Sequence, residues 1–496
     1  MILSWLIDAN AWMKEPLVKI SREDVKKQLV LPLEQLRFSI EDLMSNSAFV
    51  QYAEAESGGE NQQVDSSGVN AVSKTDPRVD EMKRTIGKVQ TFRALIHGDS
   101  ILVTPMTDPE PWGSLASGMK TPTPQSEAFH HLLRAYLDND SEDFQKYSSL
   151  VRQTVEASIQ SPEYSDSKIK MEVFYNRLRP FLLAMILYLV AGVAWLFAAP
   201  LGATGTKFEI ATRWIAKITT FFAFGIHLTG FALRCVIAGR PPVSNMYESV
   251  IWVSFGVLIF AFILAVRFRY KVILAVATWC AGIALLAADS APVIMDPTIH
   301  PLVPVLRSNY WLTIHVLTIT LSYAAFMLAM GIANVNLFQF VREVRSGASG
   351  ELSEKISTLN LLSYRAIQIG TVLLAAGTIL GGIWADYSWG RFWGWDPKEV
   401  WALIALLSYL ALLHARFTGW VGRFEFPLFT VICFSTVVMA WYGVNFVLGV
   451  GLHSYGFSSG GQAVVAGFLG VQLAYCLWVV WMRKQSGAGR VNRSPA

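Results

Sequence analysis

The sequence contains few cysteines, and no two of them are close enough in sequence to act as a pair. All four, Cys235, Cys280, Cys433 and Cys476, lie singly within apolar segments. There is no CxxC pair, which argues against a thiol oxidoreductase, and no CxxCH motif, which argues against a chain that itself carries covalently attached haem. We expect these thiols to act as small buried hydrophobic side chains.

Charged residues are also scarce. They make up 16% of the chain, and the formal net charge of +4 gives no electrostatic basis for binding nucleic acid. Apolar residues make up 53% of the 496 residues, and the mean hydropathy is +0.39. This composition predicts an all-α, polytopic membrane helix bundle.

Residues 1–175 lack any apolar run long enough to cross a bilayer. Helical patterning over residues 21–49, 77–97, 125–136 and 141–159 predicts a small helical, water-soluble domain. A segment rich in Gly, Ser, Gln and Asn, near residues 57–70, predicts a flexible insertion. The first sixteen residues, MILSWLIDANAWMKEP, are apolar but are interrupted by Asp8 and lack a basic region, so they make a poor signal peptide.

The transmembrane part, residues 176–485, contains nine apolar segments of spanning length. They centre on residues 182–199, 214–237, 251–266, 272–288, 311–340, 367–384, 397–417, 427–448 and 463–481.

The distribution of Lys and Arg among the short loops predicts the orientation of the bundle. Basic residues follow the third, fifth and seventh spans, and the tail, residues 486–496, carries two more arginines. Those loops and the tail are therefore expected to be cytoplasmic, with residues 1–175 and the alternate loops outside. Basic residues just before the first span, such as Arg177 and Arg179, argue the other way for residues 1–175.

One stretch, WADYSWGRFWGWDPKEVW from Trp384 to Trp401, contains five tryptophans within eighteen residues. Trp384, Trp389, Trp393 and Trp395 could form a membrane-interface belt. Their density favours instead a platform for a large planar ligand. Asp396 is a predicted N-cap, since Pro and Glu follow it at the spacing of a capping box, so a helix should begin here, where a span meets water.

Two histidines lie at the predicted outer end of the bundle, near this stretch. His315 is four residues into the fifth span, and His453 follows the eighth span in GVGLHSYGF. Either alone could be an interfacial histidine bonded to a neighbour. Together with an indole-lined wall they suit a haem, whose iron takes axial nitrogen ligands above and below the ring.

His414 lies eighteen residues past Asp396 on the same helix, which places it about 27 Å deeper. It cannot share a haem with the outer pair. It is either a functional residue in its own right or a histidine at a helix C-terminus, where the dipole favours it. His227, inside the second span, is more typical of a packed histidine than of a ligand.

Several motifs, in order, resemble the CcsA (ResC) family of system II cytochrome c biogenesis, which carries the haem-handling WWD signature. They are GRPPVSNMYES, LVPVLRSNYWLTIHV, SYRAIQIG, WGRFWGWDPKEVWALI, LHARFTGW and WYGVNFVLGVGLHSYGF. By this resemblance, His315 and His453 would bind the iron of an outer haem, and His414 that of an inner haem. The WWD stretch, residues 384–401, would lie at the outer face of a CcsA-like domain, flanked by His315 and His453.

The resemblance implies a holocytochrome c synthase of the bacterial inner membrane. It would take haem b as its substrate, move it to the outer face and present it for thioether attachment to CxxCH motifs. Implied partners are a CcsB/ResB-like protein, apocytochrome c and thiol-reducing thioredoxin-like proteins. No residue of the chain would act as a covalent catalyst. Arg240, Arg307 or Arg391 could pair with the haem propionates.

Two other classes stay open. A haem exporter or chaperone without attachment activity, as in the CcmC and CcmF relatives, would share the WWD stretch. A non-haem transporter or a quinone-binding subunit would share only the apolar spans and the aromatic content.

Overall fold

The computed structural model describes residues 9–59, 77–99, 102–104, 113–114, 123–158, 165–198, 207–291, 295–299, 309–346, 351–448 and 461–485. The chain divides into two compact units, Met1–Tyr164 and Ser165–Ala496. The predicted first domain, residues 1–175, therefore extends eleven residues past this division, into a helix of the second unit.

The first unit is mostly helical. Its helices are α1 (Ala9–Lys14), α2 (Glu23–Gln28), α3 (Ile40–Met44), α4 (Ser47–Gly59), α5 (Pro77–Ile96), α6 (Pro124–Leu137) and α7 (Ser141–Ser158). Two short antiparallel pairs accompany them, formed by β1 (Val18–Lys19) with β2 (Arg37–Phe38) and by β3 (Leu102–Thr104) with β4 (Gly113–Ser114). The helices α5, α6 and α7 confirm three of the four predicted segments.

The remaining segment, residues 21–49, was predicted to be helical throughout, and this prediction is wrong. The structure ends α2 at Gln28, forms the strand β2, and resumes with α3 at Ile40. Val30 has a φ of 52° and Pro32 follows two residues later, so the helix cannot continue. Ser39 then caps α3, because its side chain accepts a hydrogen bond from the backbone N–H of Asp42.

Among the described residues of the second unit, nine helical segments are long and apolar enough to cross a membrane, as predicted. The helices are α8 (Asp166–Leu178), α9 (Pro180–Ala198), α10 (Lys207–Ala238), α11 (Met246–Phe268), α12 (Val272–Ser290), α13 (Asn309–Ser346), α14 (Glu351–Trp389), α15 (Pro397–Phe417), α16 (Glu425–Val438) and α17 (Gln462–Gln485). A π-helical segment, Met439–Leu448, continues α16, and α8 and α9 together form the first of the nine segments.

The core of this unit is one large apolar cluster. The most extensive helix pair is α13 with α14, and α13 also packs on α11 and α16. The ring of Phe326 on α13 also stacks on that of Tyr409 on α15, with centroids 3.7 Å apart. The helix α13 is therefore the axis of the bundle, and residues near its N-terminus are held by several neighbours.

Candidate functional site

A pocket opens at the end of the second unit where the N-termini of α11, α13 and α15 meet the C-terminus of α14 and the π-helical segment. It contains about 1120 Å³ of empty space, including its open mouth. Its lining comes from the segments 243–249, 312–323, 378–384, 392–393, 398–402 and 440–445.

His315 lies in the wall of this pocket, on the second turn of α13. Its Nδ1 lies 2.8 Å from the carbonyl oxygen of Gly377 on α14. A carbonyl oxygen can only accept a hydrogen bond, so Nδ1 must carry the proton. In the neutral imidazole the lone pair is then on Nε2, which is the tautomer that binds a metal through Nε2.

Two glycines of α14 let this part of α13 approach closely, and one of them makes room for the imidazole. A Cβ on Gly381 would lie 2.6 Å from the Cε1 atom of His315, and a Cβ on Gly377 would lie 2.9 Å from the backbone of Ile319. The glycines are four residues apart, so both lie on the face that packs against α13. The GxxxG pattern was therefore a sequence signal for the position of His315.

The tryptophans of the stretch occupy different environments. Trp384 lines the pocket and is buried, and its ring lies parallel to that of His315 with centroids 6.3 Å apart. Trp389 packs edge-on against Trp384 at 4.7 Å, one layer behind it. Trp393 also lines the pocket, whereas Trp395 is 70% exposed and contacts the edge of Trp393. Two of the four predicted tryptophans thus border the pocket directly.

Asp396 begins α15 as predicted. Its carboxylate accepts a hydrogen bond from the backbone N–H of Lys398, and Glu399 completes the capping box by accepting from the N–H of Asp396 at 3.1 Å. A second bond, from the N–H of Gly394 to Glu399 at 2.8 Å, ties the preceding loop to the same carboxylate. The capping box therefore fixes the N-terminus of α15 at the pocket, and Asp396 acts there as a helix cap.

Lys398 and Asn445 are pocket residues that the sequence reasoning did not single out. The ammonium of Lys398 donates to Oδ1 of Asn445 at 3.5 Å, and Nδ2 of Asn445 donates to the carbonyl of Trp441. A lysine at the start of an apolar span is a signal that could have identified the site, because charges in such segments usually have a function.

His414 lies at the opposite end of α15 from the pocket. Its Nδ1 donates to the carbonyl oxygen of Leu410 at 2.8 Å, and its own carbonyl accepts from the hydroxyl of Thr418. The ring is exposed at the surface of the chain. His315 and His414 therefore lie at opposite ends of the bundle. This agrees with the position of His414 far along its helix, which predicted that the two histidines cannot share a site.

His227 is fully buried, with Nδ1 3.3 Å from the Tyr188 hydroxyl and Nε2 3.2 Å from the Ile251 carbonyl. Both ring nitrogens are thus engaged within the protein core, as expected of a packed histidine. His453 and Arg307 lie outside the described residues. Of the other predicted propionate partners, Arg240 pairs with Glu248 at 3.4 Å, and Arg391 covers the backbone of Gly394.

Comparisons with known proteins identify the family of the chain. The model of the family described as "Cytochrome C assembly protein" matches residues 243–453, which include every described residue of the pocket lining. The Protein NrfI of Wolinella succinogenes is 35% identical over 298 residues, which are 59% of this chain. The matched region spans about a third, 32%, of NrfI itself.

Two cytochrome c biogenesis proteins CcsA of Prochlorococcus marinus match over most of their length. One is 34% identical over 282 residues, 52% of this chain and 89% of that protein, and the other is 38% identical over 253 residues, 46% of this chain and 78% of that protein. A solved structure of the cytochrome c haem lyase CcmF aligns with a TM-score of 0.40 at 17% identity, covering 66% of this chain and 53% of that one. The chain belongs to the CcsA family of cytochrome c biogenesis proteins.

Proposed function

We propose that this chain binds haem in the pocket beside His315 and presents it at the extracytoplasmic face for attachment to the CxxCH motif of an apocytochrome c. The observation that carries the proposal is the tautomer of His315, together with its position in the pocket wall. Its Nδ1 donates to Gly377, so its Nε2 lone pair is suited to bind iron at the wall of an aromatic-lined pocket.

His453 is the proposed second ligand. The π-helical segment that lines the pocket through Trp441 and Asn445 ends at Leu448, five residues before His453. Five residues can span at most about 18 Å, which is enough to reach a ligand held in this pocket. Two axial imidazoles would cover both faces of the iron and protect it from other ligands while the haem waits for its acceptor.

Each thioether forms when a cysteine S–H adds across a vinyl C=C bond of the haem, with sulfur bonding to one carbon and hydrogen to the other. The chain contributes position to this reaction, because orienting the two reactants is the part of the barrier that a binding site can remove. Trp384 and Trp393, at the wall of the pocket, would hold the macrocycle edge-on and leave its vinyl groups free. The histidine of CxxCH would then replace one of the two axial ligands and release the product.

His414 is the proposed iron ligand of a second, inner haem site at the other end of α15. Its Nδ1 donates to Leu410, which leaves the Nε2 lone pair of the neutral ring available at the surface of the chain, where a CcsB/ResB-like partner would supply the opposing ligand. Haem b would enter there and be moved to the pocket beside His315.

The proposal is tested by producing the full chain together with a CcsB/ResB-like partner and an apocytochrome c reporter in a host without another attachment system. We expect haem that stays on the reporter in a denaturing gel, and none on a reporter with SxxSH in place of CxxCH. Haem bound to the chain but never attached to the reporter would favour a haem exporter or chaperone instead. A purified chain without a haem absorption band would contradict both.

A further inference from the structure

Lys398 carries the ammonium group that faces the pocket from the N-terminus of α15. Its side chain is half-buried, and it donates to Oδ1 of Asn445 at 3.5 Å, the long limit of a hydrogen bond. Asn445 is itself buried and is fixed by the bond from its Nδ2 to the carbonyl of Trp441. The amide therefore presents an acceptor to Lys398 but supplies no negative charge.

No carboxylate among the described residues lies within ion-pairing distance of this ammonium. The segments of residues 165–496 outside the described ranges contain no aspartate or glutamate. Of the two neighbouring acids, Asp396 accepts from the N–H of Lys398, and Glu399 accepts from two backbone N–H groups of the preceding loop. Their charges stabilise the helix N-terminus, and Asp396 also attracts the lysine charge, but neither carboxylate forms a direct ion pair with the Lys398 ammonium.

Two of the three arginines expected to pair with an anionic ligand are placed elsewhere, and the third, Arg307, lies outside the described residues. Arg240 pairs with the buried carboxylate of Glu248, and Arg391 lies against Gly394. Neither belongs to the lining of the pocket, whereas Lys398 does. A positive charge in a mostly apolar cavity is costly unless it has a partner of opposite sign.

We infer that Lys398 is the residue that recognises a carboxylate of the tetrapyrrole, with Asn445 holding the ammonium toward the pocket. The inference rests on the proposed function, because it takes haem as the ligand. The carboxylate accepts a hydrogen bond from Nζ, and the pairing directs the propionate edge of the macrocycle toward α15. Lys398 is thus a specificity-determining residue, which selects an acidic tetrapyrrole over a neutral one and sets its rotation in the pocket.

The test is a double-mutant-type cycle. It removes the Lys398 charge from the protein and the carboxylate charges from the ligand, first separately and then together. The full-length chain and its Lys398→Met variant are placed in nanodiscs and titrated with haem and with haem dimethyl ester, whose carboxylates are blocked. A charge-assisted hydrogen bond contributes about 1.5–3 kcal/mol, which corresponds to about ten- to hundredfold in affinity. We expect the unsubstituted chain to prefer haem by that factor and Lys398→Met to lose the preference.

Lys398→Arg keeps the charge and should keep most of the preference, so a general loss of folding can be told from a loss of recognition. Arg391→Met is the matched control, and its preference for haem should be unchanged. Equal affinity of the unsubstituted chain for haem and its ester would overturn the inference and leave the proposed function standing. A preference that disappears in Arg391→Met and persists in Lys398→Met would also overturn it. No binding of either compound would overturn the proposed function as well.

Discussion

Gly381 and the imidazole of His315 approach so closely that there is no room between them for a Cβ atom on Gly381. A Cβ built on Gly381 would lie 2.6 Å from Cε1 and 2.8 Å from Nδ1 of the imidazole, which are shorter than van der Waals contacts. On the same helix, the carbonyl of Gly377 accepts the Nδ1 proton. The helix α14 thus determines both the position and the tautomer of the histidine.

Gly381→Ala is therefore expected to displace the imidazole and weaken haem binding without removing any proposed ligand. Overpacking of this kind costs about 1–3 kcal/mol, or about five- to hundredfold in affinity if all of it falls on the bound state. The measurement is a haem titration of the purified variant, followed by absorbance.

Gly470→Ala on α17 is the matched control, because a Cβ there would meet nothing within 4 Å. It should bind haem as the unsubstituted chain does. Equal affinities of Gly381→Ala and Gly470→Ala would show that the close packing of His315 is irrelevant to the site.

A cluster of buried charges lies behind one wall of the pocket. Arg234 and Glu248 are both fully buried and lie 2.9 Å apart. Arg234 also donates to the carbonyl oxygens of Pro297 and Thr298, while Glu248 accepts from the N–H and hydroxyl of Ser244. Because Ser244 lines the pocket, the ion pair joins α10 and α11 to the pocket wall.

Arg234→Met and Glu248→Leu should each be strongly destabilising, by about 3–5 kcal/mol, because each removes the nearest opposite charge of a fully buried group. The double variant should lose much less than the sum, since it removes both fully buried charges together. Thermal unfolding of the four proteins in the same detergent measures this. Additive losses in the double variant would mean that the two side chains do not stabilise the bundle as a pair.

His414→Ala should leave the pocket beside His315 intact. The pocket beside His315 lies at the N-terminus of α15, and His414 lies about 27 Å from that end of the helix. Haem added to the purified variant should bind with unchanged affinity, whereas the haem carried by protein isolated from cells should fall. An equal fall in both measurements would contradict two separate sites, and the Gly470→Ala variant again serves as control.

The features that the sequence predicted correctly are those determined by residues close to one another in the sequence. The start of α15 follows from Asp396, Pro397 and Glu399, which interact within four residues, and the nine spans follow from continuous apolar composition. The resemblance to the CcsA family was confirmed by relatives of the same family. Such signals need no knowledge of how distant segments pack.

Features that depend on distant contacts were not predictable in the same way. His315 meets Gly377 across 62 residues and Lys398 meets Asn445 across 47, and no periodicity in the sequence specifies either contact. The broken helix near Pro32 was missed for another reason, because helical periodicity continued on both sides of it. The assignments of the iron ligands and of the outer face stay predictions.

The most direct test of the central claim is the absorption spectrum of the haem-loaded chain, with and without His315. The claim predicts a six-coordinate, low-spin haem in the unsubstituted chain, and in His315→Ala a haem that is lost or becomes high-spin. Added imidazole should restore the original spectrum, since it can take the place of the missing ring. His97→Ala, at an exposed position of the first unit, should behave as the unsubstituted chain. An unchanged low-spin spectrum and haem content in His315→Ala would contradict the account.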